Sequence, residues 1–244
     1  DVPVPQIEAE DQVIVEVEAC SICGTDVHIT ATPPGYIATP GTTLGHEFCG
    51  HIIAKGAAVK HLNIGDRVVA NPNNYCGNCV YCRKNLPNEC EHIEALGIDY
   101  DGAFAKYCRI NSKVAYKISE DVPAEVAACV EPLACAVNGL NKINIKPSDS
   151  AVVIGCGPIG MLIGMLLKAS GASKIYMLET VDYRIDFVKK LGIATRVINP
   201  IKEDAKAIIL EETGIGADFV LDVTGSQAVP SIDFTRKGGT VVLF

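Results

Sequence analysis

The chain has 244 residues, 48% of them hydrophobic, with a formal charge of −8 and a pI near 5.1. That length supports two cored domains, while the acidic balance and the scattered Lys and Arg leave no basic footprint for nucleic acid. The longest apolar run, around Ile159 to Leu167, is far short of the roughly 18 residues a membrane span needs, and no charged-then-apolar leader opens the chain. The expectation is a soluble, cytoplasmic protein with neither membrane nor nucleic-acid partners.

The first element read along the chain is a half-buried strand, in which Val13, Val15 and Val17 alternate with Ile14, Glu16 and Glu18. Two polar clusters follow, Cys23-Gly24-Thr25-Asp26-Val27-His28 and Gly45-His46-Glu47, which offer a thiol, an imidazole and a carboxylate. Short apolar runs at Ile52–Ala54, Val68–Ala70 and Lys113–Lys117 recur between glycines, so the first half is expected to be β-rich.

Between two of those runs lies YCGNCVYCRKNLPNEC, residues 75–90. An odd total of 11 cysteines over a core-forming chain does not resemble a small disulfide scaffold. The spacing C-x2-C-x2-C-x7-C instead puts Cys76, Cys79, Cys82 and Cys90 in one loop, enough thiolates to close a tetrahedral zinc shell with no position left for water. Gly77, Asn78, Asn85, Pro87 and Asn88 supply the turns. An iron–sulfur cluster fits less well, because the bacterial ferredoxin run ends C-x3-C-P. This lobe is expected to be structural. Cys20, Cys49, Cys108, Cys129, Cys135 and Cys156 lack partner spacing and read as small buried hydrophobes.

From Pro123 the composition turns Ala-rich and helix-favouring, through Glu131-Pro132-Leu133, and ends in the polar turn Lys146-Pro147-Ser148-Asp149. The domain boundary is placed there, giving 1–145 and 146–244. Beyond it, strands at 151–154, 174–178, 196–199, 218–223 and 240–244 alternate with helices at 158–170, 182–190, 203–213 and near 226–236. Such alternation means βαβ units and a doubly wound parallel sheet. Pro230 interrupts the last helix, which is expected to be short or irregular.

Gly155-Cys156-Gly157-Pro158-Ile159-Gly160 follows the first of these strands and opens a helix, so its glycines can turn tightly and admit a pyrophosphate to the helix N-terminus. The second strand ends in Glu179, 24 residues after Gly155, placed to accept from a ribose diol and to repel a 2′-phosphate. That argues NAD over NADP. Asp182 is read as a helix N-cap, and Arg184 could serve a 2′-phosphate or flank the NAD ribose. In the first half, Cys23, His46 or Glu47, and Glu131 could give three protein ligands and an open position, the pattern of catalytic zinc.

In this order, CGTDVH, GHEFCG, the four-cysteine lobe, VEPL, GCGPIG and Glu179 resemble the zinc-dependent medium-chain dehydrogenase/reductase family, over essentially the whole chain. The resemblance implies a GroES-like catalytic domain followed by a Rossmann domain, and two zinc ions per chain with NAD. It also implies Cys23, His46 and Glu131 as catalytic-zinc ligands, with Glu47 as an additional or exchanging one. Asp26 is then the acid that orients the zinc-binding histidine, Thr25 and His28 the proton relay, and Arg184 a basic contact to the ribose. A glutamate at position 131 is similar to the sorbitol and other polyol dehydrogenases. The implied substrate is a secondary alcohol, foremost a polyol or sugar alcohol that gives hydride to NAD, with a threonine- or butanediol-type dehydrogenase or a truncated non-catalytic nucleotide-binding relative as alternatives; the implied assembly is a homodimer or homotetramer. Family members carry a strand before the stretch that opens here and a sixth Rossmann strand after TVVLF, so the chain is expected to be a partial record of a longer enzyme.

Overall fold

A computed structural model describes residues 2–244. Its contacts divide the chain into two units at Glu131/Pro132, earlier than the polar turn at residues 146–149.

In the first unit, β1 (Gln12–Ser21) is followed by the helix α1 (Gly24–Thr30), β2 (Glu47–Lys55), β3 (Arg67–Ala70) and the short β4 (Asn73–Asn74). A single helical turn α2 (Val80–Arg83), β5 (Glu94–Ala95), β6 (Tyr107–Asn111), β7 (Ala115–Lys117) and α3 (Ala124–Ala128) complete it. The main sheet has the order β6-β1-β2-β3-β7 and is antiparallel throughout. Val13, Val15, Phe48, Ile52, Val68 and Ile110 form its core. Ile14 is buried as well but lies outside that core, so Val13 and Val15 keep the expected alternation of faces. The run at 113–117 begins as a 3-10 turn, Ser112–Val114, before β7.

The second unit opens in α4 (Val130–Leu140), which starts at the boundary, and continues β8 (Ser150–Ile154), α5 (Pro158–Ala169), β9 (Lys174–Leu178), α6 (Asp182–Leu191) and β10 (Arg196–Ile198). It ends α7 (Ala205–Thr213), β11 (Ala217–Asp222), α8 (Ala228–Phe234) and β12 (Thr235–Leu243). All five strands are parallel in the order β10-β9-β8-β11-β12, the first five positions of a dinucleotide-binding sheet. Alternate residues serve two cores. Ala151, Val153, Ile175, Met177 and Leu221 pack with α5 through Ile163 and Leu167, whereas Val152, Ile154, Tyr176, Leu178 and Val220 pack with α7 through Ile209. The strands therefore read as continuous apolar runs, as expected of a sheet covered on both faces.

Three expectations are corrected. Asp182 is the first residue of α6, not its cap, which is Val181; the Asp182 carboxylate instead pairs with Lys202 Nζ at 2.7 Å. α8 is indeed short, but Pro230 does not interrupt it, because Pro230 is its third residue, where the missing N–H would have had no intrahelical acceptor. β12 begins at Thr235 rather than Thr240, pairing Ala217 with Thr235 before a register shift and then Phe219 with Thr240.

Candidate metal centres and dinucleotide turn

In the cysteine lobe, β4 and β5 pair antiparallel and close the base of the loop. Cys79 caps α2, its Sγ accepting from the Cys82 N–H at 3.5 Å, and Asn85 takes the left-handed conformation (φ 59°) that turns the chain back. Backbone N–H groups of Cys76 and His92 donate to Cys90 Sγ, each at 3.3 Å, and that of Cys79 donates to Cys76 Sγ at 3.4 Å. The sulfurs converge, with Cys76–Cys82 at 4.0 Å and Cys79–Cys90 at 3.9 Å. Four thiolates about 2.3 Å from a tetrahedral zinc would stand about 3.8 Å apart, so the lobe fits the ion. The donated N–H bonds hold Cys76 below the ordinary thiol range and bring Cys79 down to about 6, whereas burial and the neighbouring thiols push Cys82 up to about 12.

The second cluster is built on α1 and β2. Cys23 caps α1, and Asp26 completes a capping box by accepting the Cys23 N–H at 2.9 Å. The other Asp26 oxygen accepts from the Gly45 N–H at 3.3 Å and lies 3.7 Å from His46 Nδ1. Gly45 has φ +93°, and a Cβ there would meet the Phe104 ring at 2.5 Å, so only glycine turns the chain to present His46 here. Ligand atoms of Cys23, His46 and Glu47 all lie within 4.8 Å of one another.

These residues fit a cation. His46 Nδ1 is buried without a hydrogen-bond partner and faces Asp26, which leaves Nε2 for a metal. Burial pushes the Cys23 thiol up, with Glu47 adding to the rise and only Thr25 opposing it. Thr25 N–H donates to Cys23 Sγ at 3.5 Å, and His28 stands exposed one turn along α1. Glu131 lies in the first turn of α4 and is not in the group that converges within 4.8 Å.

In the second unit the glycine-rich turn joins β8 to α5. Gly155 has φ +100°, Gly157 is the N-cap of α5, Pro158 its first residue, Ile159 leans on the core, and Gly160 packs against the turn. Glu179 is 7% exposed, and three backbone N–H groups reach its two oxygens. One oxygen accepts from Thr180 N–H at 2.7 Å and Val181 N–H at 3.0 Å, and the other accepts from Cys156 N–H at 3.0 Å, which ties the glycine turn to the loop before α6. Burial alone would raise its pKa, but these N–H groups and Arg184 outweigh burial and hold the carboxyl below its ordinary value. Arg184 stands 3.6 Å from Glu179, donates to the Tyr183 hydroxyl at 3.1 Å and lies over the Tyr183 ring.

Sequence reasoning misses two residues here. Ser21, at the end of β1, donates to the Glu47 carboxylate and so fixes its direction; its nearness to the CGTDVH cluster is the available signal. Arg67 is 4% exposed and reaches Glu18 at 2.8 Å, the Ser119 and Val122 carbonyls and Cys49 Sγ, pinning the segment that enters α3 onto β1, β2 and β3. Of the six cysteines read as buried hydrophobes, Cys49, Cys108 and Cys156 are buried and Cys20 and Cys129 half-buried, but Cys135 is exposed on α4. No helix is long and apolar enough to cross a membrane among the described residues.

The family described as Alcohol dehydrogenase GroES-like domain matches residues 9–120, and the one described as Zinc-binding dehydrogenase matches residues 158–244. Among curated relatives, an L-threonine 3-dehydrogenase of Caldanaerobacter subterraneus subsp. tengcongensis is 41% identical over 97% of this chain and 69% of its own length. D-arabinitol dehydrogenase 1 of Uromyces fabae is 34% identical over 99% of this chain and 69% of its own. A solved structure from Sinorhizobium meliloti 1021, described as a zinc-binding dehydrogenase bound to NADP, superimposes with a TM-score of 0.90 at 31% identity, over 99% of this chain and 71% of that one. The chain thus spans about two thirds of the length of these relatives, and with both of its halves matched it belongs to the zinc-binding alcohol dehydrogenase family.

Proposed function

We propose that this chain oxidises a small secondary alcohol, a polyol by preference, the alcohol giving hydride to NAD and a proton to solvent. The observation that carries this reading is the convergence of Cys23, His46 and Glu47 within 4.8 Å in a chain that also holds a glycine-rich turn tied to Glu179. Cys23, His46 and Glu131 would hold the catalytic zinc, with Glu47 able to exchange onto it, and Cys76, Cys79, Cys82 and Cys90 a structural one. Bound there, zinc supplies Lewis acidity that brings the pKa of an alcohol hydroxyl toward neutrality.

The residues around it do the rest. Asp26 stands 3.7 Å from His46 Nδ1, and its negative charge favours the proton on that nitrogen. Thr25 takes the hydroxyl proton, and His28, exposed and three positions along the same helix face, passes it to water. Gly155, Gly157, Pro158, Ile159 and Gly160 form the cradle for the pyrophosphate at the start of α5. Glu179 favours NAD because a 2′-phosphate would stand against its carboxylate, and Arg184 stands 3.6 Å from that carboxylate.

Purified chain loaded with zinc and NAD should form NADH with sugar alcohols and contain two zincs; silence with polyols, simple alcohols, butanediol and threonine would sink the reading. A threonine-type substrate is the second reading, favoured by the 41% identity to an L-threonine 3-dehydrogenase, and the same panel separates it. One zinc, lost in Cys79→Ser and kept in His46→Ala, would point to a non-catalytic relative. The assembly is proposed to be a homodimer or homotetramer, as the family resemblance implies. A cytoplasmic setting is supported by lobe cysteines that are placed as thiolate ligands rather than joined in disulfides.

A further inference from the structure

At the C-terminal end of β11, Asp222 is fully buried, and its two oxygens are satisfied by the loop that follows. One accepts from the Thr224 N–H at 2.9 Å and the Thr224 hydroxyl at 2.7 Å, and the other accepts from the Gln227 N–H at 2.7 Å. Ser226 Oγ extends the chain of hydroxyls, 3.0 Å from Thr224 Oγ1. The backbone of Asp222 and Val223 is pinned from both sides, since Val223 N–H donates to Ile154 O at 3.1 Å and Phe244 N–H to Asp222 O at 2.9 Å.

This loop is the wall on which the glycine turn rests. A Cβ on Gly155 would lie 2.9 Å from Thr224 Cγ2 and 3.2 Å from Val223 Cγ2, and one on Gly160 would lie 3.3 Å from the same Val223 methyl. The first and third glycines thus touch the two residues whose placement Asp222 sets. Ligands of open α/β sheets bind beyond the carboxyl ends of the strands, which is where this wall stands.

We propose that Asp222 is a positioning residue for the dinucleotide: through Thr224 and Val223 it fixes the wall behind the glycine turn and so the depth at which the pyrophosphate seats. It makes no contact with the ligand itself. The inference rests on the dinucleotide-binding reading above.

Asp222→Asn keeps the shape of the side chain but turns an NH2 against either the Gln227 N–H or the Thr224 donors, so one anchor is lost. NADH titration by fluorescence, well below the melting transition of each protein, should show Kd at least tenfold weaker in Asp222→Asn, with zinc content unchanged. kcat at saturating NAD should stay within about twofold of the parent while KM for NAD rises. Thr224→Val, which removes one hydroxyl and keeps a methyl beside Gly155, should weaken NADH about threefold and decides the matter if Asp222→Asn does not fold. Parent-like Kd in the folded variants would overturn the proposal, even with lowered melting temperatures. If the parent chain itself binds no dinucleotide, the functional reading falls and this inference with it.

Discussion

Replacing the glycines of the turn one at a time separates packing from ligand space. A Cβ on Gly160 would lie 2.0 Å from the Gly155 carbonyl oxygen and 3.0 Å from its carbon, both backbone atoms. Ordinary contact begins near 3.4 Å, so the turn would have to retreat by roughly 1.4 Å, the shortfall from 2.0 Å. Overpacking of this kind costs about 1–3 kcal/mol, or more where backbone must move, against which alanine gains at most about 1 kcal/mol over glycine in a helix. The net for Gly160→Ala is destabilisation of about 1–2 kcal/mol, at about 2–4 °C of melting temperature per kcal/mol for a chain of this size. Gly157 differs. Its Cβ would meet nothing within 4 Å, and its φ of −72° suits alanine, so Gly157→Ala should cost no more than about 1 kcal/mol, the helix-cap preference for glycine. Both variants should bind NADH at least tenfold more weakly, Gly157→Ala because its methyl occupies pyrophosphate space and Gly160→Ala because the cradle itself has moved. Thermal unfolding of the ligand-free chain with NADH titration reads both quantities. Gly160→Ala melting with the parent and binding normally, or Gly157→Ala melting as low as Gly160→Ala, would refute the reasoning.

Cys79→Ser removes a ligand and the cap of α2 together; zinc per chain should fall from two to one, and limited proteolysis should open the chain within residues 76–90, while retention of both ions would contradict the lobe assignment. Ser21→Ala takes a donor from a buried carboxylate, a loss of about 1.5–3 kcal/mol for a hydrogen bond to a charged group. The loss should be smaller in zinc-loaded than in metal-free protein if Glu47 can turn onto the metal, and equal losses in differential scanning would argue that it does not. For pH, the Glu179 carboxyl is held below its ordinary value of 4.5, so its contribution is complete above that value and is lost as pH falls through the lower, folded pKa. Stability of the second unit should therefore decline below about pH 4.5, and Glu179→Gln should flatten that part of the profile; an unchanged profile would contradict the anchor.

Much of this is legible in the sequence because the second unit repeats one arrangement. Val152 and Val153 face different cores, so β8 is apolar from Ala151 to Ile154, and a short apolar run ending in glycines can be read without a partner in hand. The cysteine lobe is legible from spacing alone, since four thiolates in one loop have few uses. Errors fall where a residue's role depends on what lies across from it. Asp182 looks like a cap, but the loop before α6 is already held by Glu179, which leaves the Asp182 side chain free to reach Lys202. Pro230 reads as a helix-interior residue because the start of α8 is set by Asp222, five residues before Gln227, and no periodicity marks that. Cys135 lies on a helix whose buried face runs through Pro132, Ala136, Gly139 and Leu140, one position out of register with a core role.

The two units use the same device for holding irregular backbone. Asp26, Glu179 and Asp222 are each buried, and each accepts N–H groups from a turn that carries functional atoms: Cys23 and Gly45, then Cys156, Thr180 and Val181, then Thr224 and Gln227. A buried carboxylate is costly unless its oxygens are satisfied, and a turn leaves N–H groups that no ladder accepts, so each answers the need of the other. Both oxygens of Glu179 and of Asp222 receive donors, which makes the amide isostere a severe change, since one oxygen becomes an NH2 facing an N–H. Asp26 and Glu179, which read in the sequence as a histidine-orienting acid and a ribose acceptor, therefore serve first as backbone anchors. Loss of activity in an Asp→Asn or Glu→Gln variant at these positions reports a displaced turn until ligand affinity and thermal stability have been measured on the same protein.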